Sequence, residues 1–298
     1  MQEARVIKNV ALVLQGGGTR GAFTAGVLDV LMENHIEFSY VIGTSAGALN
    51  AVNYVSGDIG RSKFVTTELM SDKKFVSFRN LLFRGTIFDF AYLFHTVPQT
   101  KLPFNSARFN SSPVEFVVVA SDMKNGEPRY FKKGICKEFY KALAASSSLP
   151  LLAKPIDVEG EKFLDGGVEA AIPFRKPLED GFNHVVVVET RAKGYRKKNK
   201  KSLLKRFLAW VMYPKYKDFR KAYHNRPTFY NQDADEIDRL EKEGNAFVIA
   251  PATPPEVGLV EKNKDNLLRL YEQGREVMNA QLPSLLKYVG RVEREQKR

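Results

Sequence analysis

A serine set between two glycines, at the point where a short apolar run ends, is the feature that most restricts the fold of this chain. Residues 40–42 are Tyr-Val-Ile and lead into GTSAG at residues 43–47. If a strand turns sharply into a helix here, the Ser45 hydroxyl lies on a tight bend, and Gly43 and Gly47 remove the side chains that would collide across it. Ser45 is therefore the candidate nucleophile of a strand–turn–helix unit.

A glycine-rich loop precedes this unit. Residues 9–14 have the pattern of a buried strand, and the loop GGGTRG is followed by apolar residues at helical spacing. Backbone N–H groups at such a helix N-terminus attract a phosphate or a developing oxyanion equally well. The predicted anion-binding loop consists of Gly16, Gly17, Gly18, Thr19, Arg20 and Gly21.

The spacing of Gly16, Gly18 and Gly21 also matches the dinucleotide-binding fingerprint. That site needs an acidic residue about 20 positions further on, at the end of the second strand, to hold the ribose hydroxyls. The second strand here ends in Gly-Thr-Ser without a carboxylate, and Glu37 precedes it. A serine hydrolase is therefore favoured over a dinucleotide-binding protein.

A third motif lies far downstream, where the pattern from residue 158 predicts a hairpin that delivers Asp165 into a turn with Gly166 and Gly167. The motifs GGGTRG, GTSAG and DGG, in this order and spacing, closely resemble the signature of the patatin-like phospholipases. The segment ASSSLP at residues 145–150 is similar to a further motif of that family. Weaker similarity to bacterial members extends over most of the remaining chain.

The resemblance implies a Ser-Asp dyad, with Ser45 as nucleophile and Asp165 as base, and an oxyanion hole formed by amides of the Gly16 to Gly18 loop. It implies an enzyme that cleaves fatty acyl esters of phospholipids or lysophospholipids through an acyl-serine intermediate, without a cofactor. Arg20 is expected to support the loop and not to take part in the chemistry.

Two other functions stay open. One is an esterase of the α/β-hydrolase type, in which His184 or His224 completes a Ser-His-Asp triad. The dyad is favoured because Ser45 leaves room for only two preceding strands, and because His184 precedes its strand, away from the carboxyl end where such sites form. The other is a catalytically silent lipid-binding or acyl-binding module, against which the complete set of motifs argues.

Apolar strand candidates separated by helical segments predict a mostly parallel sheet with helices on both faces, which is a three-layer α/β/α sandwich. The strand candidates are residues 9–14, 39–43, 115–121, 185–189 and 246–250. We expect a patatin-like catalytic domain at 1–195, a basic aromatic linker with an amphipathic helix at 196–226, and a small C-terminal α/β extension at 227–298 that packs on the catalytic domain. The aromatic residues of 71–112 fit an acyl-pocket wall, a lid or a core-packing insert.

The net charge of +12 is concentrated in one stretch. Residues 191–226 contain 14 Lys or Arg and a single acid, Asp218, so they carry +13 and the rest of the chain sums to −1. Cations interleaved with large aromatics are typical of a segment that docks on an anionic membrane surface. An apolar side packed on the core is the slightly favoured interpretation, and nucleic acid is the least favoured partner. The cluster at 196–201 is expected to be an exposed linker.

The remaining sequence features predict a cytoplasmic protein that associates with membranes peripherally if the basic stretch docks. Cys136 is the single cysteine, which excludes an intrachain disulfide and favours a reducing compartment. The polar residues 1–8 leave no room for a signal sequence, and no apolar run approaches the roughly 18 residues that span a bilayer. The spacing of the four histidines predicts no metal site.

Overall fold

The structure is a computed structural model that describes residues 5–198 and 202–296. Its strands are β1 (Arg5–Ile7), β2 (Ala11–Leu14), β3 (Ile36–Phe38), β4 (Tyr40–Thr44), β5 (Glu115–Asp122), β6 (Pro128–Lys132), β7 (Ile156–Val158), β8 (Glu161–Asp165), β9 (Val185–Val188) and β10 (Ala246–Ile249). Its α-helices are α1 (Gly21–Glu33), α2 (Ala46–Ser56), α3 (Arg61–Thr67), α4 (Phe78–Arg84), α5 (Val97–Thr100), α6 (Ser106–Ser111), α7 (Phe139–Ser146), α8 (Arg175–Glu179), α9 (Leu203–Met212), α10 (Lys217–Lys242) and α11 (Lys264–Glu295).

Five parallel strands form the centre of the main sheet, in the order β10, β9, β2, β4 and β5. They correspond to the five predicted strands, whose near-continuous apolar runs suit strands that are covered on both faces. The antiparallel strands β6, β7 and β8 complete the sheet beyond β5. The sequence pattern missed β6. It also missed the small parallel pair of β1 and β3, two strands of only three residues each.

Helices cover both faces of this sheet. Because side chains alternate along a strand, Leu12 and Leu14 of β2 join a core with α1, α2 and α11, whereas Ala11 and Val13 join a second core with α10. The predicted three-layer α/β/α sandwich is thereby confirmed.

The C-terminal residues share this sheet and its core. β10 is an edge strand paired with β9, and α11 crosses α1 at close range. A Cβ atom at Gly26 would lie 2.1 Å from the Tyr271 carbonyl oxygen, and one at Gly274 would lie 2.1 Å from that of Phe23. The extension therefore completes the sandwich and does not merely pack on its outside.

The segment between the predicted catalytic domain and the C-terminal extension is anchored on α10. Arg196 forms ion pairs with Asp235 and Asp238 of α10, at 2.7 Å each, and the Lys197 amide donates to Asn231 Oδ1 at 2.8 Å. The start of the lysine cluster is thus fixed on α10, contrary to the expected exposed linker, and its residues 199–201 lie outside the described residues. The expected boundary at 226/227 falls inside α10, which continues through it.

Across residues 5–198 and 202–296, no helix combines the length and the apolar composition that crossing a membrane requires.

Candidate active site

Two strands that meet end to end bring Ser45 and Asp165 together. Because β6 takes one edge of β5, the strands β4 and β8 share the other edge. β4 runs parallel to β5 as far as Val119, and β8 runs antiparallel to it from Ala120 onward. The carboxyl end of β4, which leads into Ser45, therefore faces the carboxyl end of β8, which is Asp165.

Ser45 occupies a strained turn between β4 and α2. Its φ of 55° lies in the region that side chains with a Cβ rarely adopt, as is found for serine nucleophiles on strand-to-helix elbows. A Cβ at Gly43 would lie 2.6 Å from the Ala48 nitrogen, and one at Gly47 would lie 2.3 Å from the Leu14 carbonyl oxygen. Both glycines are thus required by close backbone approach, as the sequence pattern predicts.

Asp165 is buried and firmly positioned. Its amide donates to the Ser148 carbonyl at 2.9 Å, and its Oδ1 accepts the Gly167 amide at 2.8 Å. Oδ2 has no hydrogen-bond partner of ordinary geometry in the described part of the chain, although the Ser45 hydroxyl lies close enough to favour the ionised carboxylate. Such catalytic contacts are often long before substrate binds.

Burial raises the pKa of Asp165, and the Ser45 hydroxyl, the Arg226 charge and the Gly167 amide oppose that rise without cancelling it. A carboxylate with a raised pKa and a free oxygen beside a serine hydroxyl is chemically able to accept the serine proton.

The glycine-rich loop presents two free amides beside Ser45. The Gly16 amide donates to the Ala171 carbonyl at 2.9 Å, so it is already used. The Gly17 and Gly18 amides have no acceptor among the described residues. Gly18 has a φ of +57°, and a Cβ there would lie 2.2 Å from a backbone oxygen of the C-terminal segment. The structure therefore narrows the predicted oxyanion donors from three amides to two.

Residues that the sequence analysis did not single out hold this loop in place. The buried Gln15 side chain donates to the Tyr230 hydroxyl at 3.1 Å and accepts the Thr190 amide at 2.5 Å. The Thr19 amide donates to the Leu259 carbonyl at 3.1 Å. A polar residue directly after a buried strand was the available signal for Gln15, whereas nothing local indicated the others.

The remaining predicted site residues act through their backbones or at the loop edge. Arg20 Nη1 donates to the Val257 carbonyl at 3.4 Å, while its Nε has no partner within the described ranges. The Gly21 carbonyl accepts the Asn50 side chain at 2.8 Å, which ties α1 to α2. A Cβ at Gly166 would lie 2.3 Å from a carbonyl oxygen of β5.

A cleft of about 1000 Å³, here called the cationic cleft, opens at Ser45 and Asp165. Asp165 is the one acid among the described residues that line it. Ten cationic side chains line it: Arg20, Arg191, Lys197, Lys198, Lys205, Arg206, Lys217, Arg220, Lys221 and Arg226.

A second, narrow cavity of about 70 Å³, here called the apolar cavity, also begins at Ser45. Gly18, Ser45 and Leu149 line both spaces. The apolar lining comes from Leu49, Val65, Met70, Phe75, Phe88 and Phe90. The aromatic segment 71–112 thus contributes a wall of this cavity, and Ser45 lies where a polar and an apolar space meet.

The two histidine candidates for a triad lie in different places. His184 precedes β9, where its carbonyl accepts the Ala11 amide at the start of β2, so it lies at the opposite end of the sheet from Ser45. His224 lines the cationic cleft, but it forms no hydrogen bond with Ser45 or Asp165. Burial and its neighbours Arg206 and Arg220 lower the pKa of His224.

Helix α9 forms part of the cleft wall and exposes its apolar side. Leu203 is 78% exposed and Trp210 is 59% exposed, whereas Ala209 and the following Tyr213 are buried. Phe207 stacks on Trp210 with 6.3 Å between the ring centroids. Of the two interpretations of this helix, packing of its apolar side on the core is therefore wrong.

Comparison with known proteins agrees with this geometry. A family model described as "Patatin-like phospholipase" matches residues 12–178, and one described as "Domain of unknown function (DUF6363)" matches residues 216–290. The chain is 31% identical over 185 residues to the uncharacterized protein YjjU of Escherichia coli, an alignment that covers 61% of this chain and 52% of YjjU. It is 28% identical over 199 residues to the lysophospholipase NTE1 of Candida albicans, which covers 63% of this chain and 14% of that protein.

The chain thus spans about half the length of YjjU and a small part of NTE1. Among solved structures, VipD from Legionella pneumophila aligns over 91% of this chain and 67% of its own, with a TM-score of 0.44 and 13% identity. Because the patatin model matches more than half of the chain, the chain belongs to the patatin-like phospholipase family of lipid acyl hydrolases.

Proposed function

We propose that this protein hydrolyses a fatty acyl ester of a phospholipid or lysophospholipid, with Ser45 as nucleophile and Asp165 as base. The observation that carries this proposal is the position of Ser45 between the cationic cleft and the apolar cavity. A phospholipid is divided in the same way, because an ester joins its charged headgroup portion to an apolar acyl chain. The similarity to NTE1, a lysophospholipase, supports the substrate class.

The proposed reaction uses these groups in two half-reactions. The Ser45 hydroxyl oxygen attacks the ester carbonyl carbon, and Asp165 Oδ2 accepts the hydroxyl proton. The Gly17 and Gly18 amides donate to the oxyanion of the tetrahedral intermediate. The intermediate collapses as the C–O bond to the alcohol breaks, and Asp165 returns the proton to the departing oxygen. Asp165 then deprotonates a water molecule, whose oxygen attacks the carbonyl carbon of the acyl-serine. The second tetrahedral intermediate collapses as the bond to the Ser45 oxygen breaks, and Asp165 returns the proton to that oxygen as the fatty acid leaves.

Labelling with a fluorophosphonate tests the nucleophile and also the catalytically silent alternative. We expect one labelled serine, Ser45, and we expect Ser45→Ala to lose labelling and at least about 1000-fold in ester hydrolysis, because the covalent route is gone. Ser147 supplies a matched control, since its buried hydroxyl lines the apolar cavity and has no hydrogen-bond partner in the described structure. Ser147→Ala should be labelled normally.

Persistent labelling of Ser45→Ala, or a label mapped to Ser147, overturns the assignment of the nucleophile. Absence of any label on the folded wild-type protein favours the lipid-binding module.

We also propose that exposed apolar residues of α9 and α4 dock the cleft on an anionic membrane surface. Leu82 and Phe83 of α4 are 78% and 74% exposed, as the apolar side of α9 is. The end of α4 bridges to Ala153 through Thr86, and Tyr213 at the end of α9 donates to the Ala153 carbonyl at 3.1 Å. Both helices therefore flank one loop. We call these exposed apolar residues, Leu82, Phe83, Leu203, Leu204, Phe207, Trp210 and Val211, the docking face.

The cations beside the docking face give it charge complementarity to an anionic surface. We expect binding to vesicles to rise with phosphatidylglycerol content and to fall with salt, and the double variant Phe207→Ser/Trp210→Ser to lose most of it. Ile135→Ser is the matched control, because Ile135 is 71% exposed but lies near the amino end of β5, away from the cleft. Equal binding by the two variants would contradict the docking face.

A further inference from the structure

Four cations of the cleft form a distinct group centred on Lys197, here called the inner cation group: Arg20, Arg191, Lys197 and Arg226. Three of them lie over aromatic rings. The Arg191 guanidinium is 4.5 Å from the Tyr195 ring centroid, Lys197 Nζ is 4.2 Å from that of Tyr230, and the Arg226 guanidinium is 5.4 Å from that of Tyr223. Rings and backbone contacts therefore fix these cations in the absence of any anion.

The Asp165 charge acts on Lys197 and Arg226 of the inner cation group but forms no ion pair with any of the four in the described structure. In the described part of the chain no carboxylate lies within ion-pair distance of any of the four, whereas cations such as Arg196, Arg239 and Arg275 each pair with a carboxylate at 2.6 to 2.8 Å. Four like charges held together repel each other, and they are stabilised when an anion binds among them.

This repulsion, together with burial, lowers the pKa values of two members of the group. Burial, followed by Arg226, Arg191 and Arg20, lowers the pKa of Lys197 to about 7. Burial and then Arg191 lower the pKa of Arg20 to about 10. A bound anion would relieve the repulsion among these groups.

The inner cation group lies beside Asp165, the proposed base. Arg226 Nε donates to the Gly167 carbonyl, two residues after Asp165, at 3.1 Å, and the charges of Arg226 and Lys197 both act on the Asp165 carboxylate. An ester carbonyl at Ser45 with its chain in the apolar cavity thus places the alcohol portion of the lipid beside these cations.

We propose that the inner cation group binds the phosphate of an anionic lipid whose headgroup carries no ammonium group, and so selects such lipids over choline and ethanolamine lipids. This inference rests on the proposed hydrolase function. Guanidinium groups match the geometry of phosphate oxygens and form charge-assisted hydrogen bonds with them. The ammonium of a choline or ethanolamine lipid would enter a cleft with ten cations and, among its described lining residues, one carboxylate, the catalytic one.

The test compares two lysophospholipids of equal chain length, 1-acyl-glycerol-3-phosphate and 1-acyl-glycerol-3-phosphocholine, as monomers below their critical micelle concentrations. Because no surface is present, membrane docking does not enter the result. We expect kcat/KM of the wild type to favour the phosphate lipid by about tenfold or more, and Arg191→Gln to reduce that preference by about tenfold, the effect of losing one charged hydrogen bond.

Lys215→Gln is the matched control, since Lys215 is an exposed cation of the same basic stretch that does not line the cleft. Its preference should equal that of the wild type. Lys197→Gln provides a second variant if Arg191→Gln does not fold, and thermal unfolding of each protein identifies that case.

A wild-type preference for the choline lipid, or a preference that both cleft variants leave unchanged, overturns the proposal. Failure of the hydrolase function gives a different result, because then neither lipid nor an uncharged p-nitrophenyl ester is cleaved and no serine reacts with a fluorophosphonate.

Discussion

The cationic cleft and the apolar cavity share three lining residues but differ in almost every physical respect. The cleft is wide, at about 1000 Å³, and is lined by ten cations, whereas the cavity is narrow, at about 70 Å³, contains no charged residue among its described lining residues and is lined mainly by aliphatic and aromatic side chains. Water and anions are favoured in the first, and hydrocarbon is favoured in the second. In the proposed function, this difference places the two ends of an amphiphile on opposite sides of Ser45.

The two spaces also come from different parts of the chain. The apolar cavity is built entirely from residues 18–149, inside the region that the patatin model matches. Apart from Arg20, every cation of the cleft comes from residues 191–226, beyond that region. We therefore expect mutations to separate chain selection from headgroup selection, while the proposed chemistry at Ser45 is common to both.

The largest of these effects is expected at Asp165, the proposed base. Asp165→Asn keeps the side-chain shape but cannot accept a proton, so kcat for a soluble uncharged ester should fall by about 100-fold or more. His184→Gln and His224→Gln should each stay within about fivefold of the wild type. Because burial raises the pKa of Asp165, the acidic limb of the wild-type pH–rate profile should lie above the ordinary aspartate value of about 3.9.

The histidine variants decide between the dyad and the triad. If His224→Gln loses as much activity as Asp165→Asn while circular dichroism shows a folded protein, a triad with His224 replaces the dyad.

The sequence predicted the strands and motifs of this site, but it did not predict how they come together. The buried strands and the motifs around Ser45 and Asp165 were recognisable because local patterns of apolar and glycine residues encode them. That β4 and β8 share one edge of β5 depends on β6 taking the other edge. Strand register of this kind is set by long-range pairing, which a local pattern does not record.

The lining of the cationic cleft could likewise be predicted only in part from local patterns. The charge of residues 191–226 was evident, but Arg20 joins Arg191 and Lys197 from a distant loop. The pattern of α9 was also compatible with both burial and exposure of its apolar side, because an amphipathic helix looks alike in either case. Exposure of Leu203 and Trp210 emerged only with the tertiary structure.

An intermediate effect is expected in the apolar cavity. Val65, half-buried on α3, lines it, so Val65→Trp should fill space that the first carbons of an acyl chain occupy. We expect the kcat/KM ratio of p-nitrophenyl hexanoate to p-nitrophenyl acetate to fall by about tenfold, since each buried methylene contributes about 0.8 kcal/mol. Val65→Ala, which enlarges the cavity, should keep or raise that ratio. A fall with both variants would place the acyl chain elsewhere.

The smallest effect is expected from a charge of the cleft that titrates near neutral pH. Because the pKa of Lys197 is lowered to about 7, its amine is protonated at pH 6 and neutral at pH 9. A lysophospholipid with a phosphodiester headgroup keeps one negative charge over this range. We expect its kcat/KM, divided by that of an uncharged ester with the same chain, to fall about fivefold from pH 6 to pH 9, equivalent to about 1 kcal/mol for one partly screened charge pair.

Division by the uncharged ester removes the titration of Asp165 from this measurement, because both substrates depend on that carboxylate equally. His224 also lines the cleft and has a lowered pKa, so its loss of charge is complete at a lower pH than that of Lys197. Lys197→Met retains His224, and the slope that remains in this variant measures the histidine contribution. A wild-type ratio that is flat from pH 6 to pH 9, or a Lys197→Met ratio as steep as the wild type, would show that the Lys197 charge does not reach the headgroup.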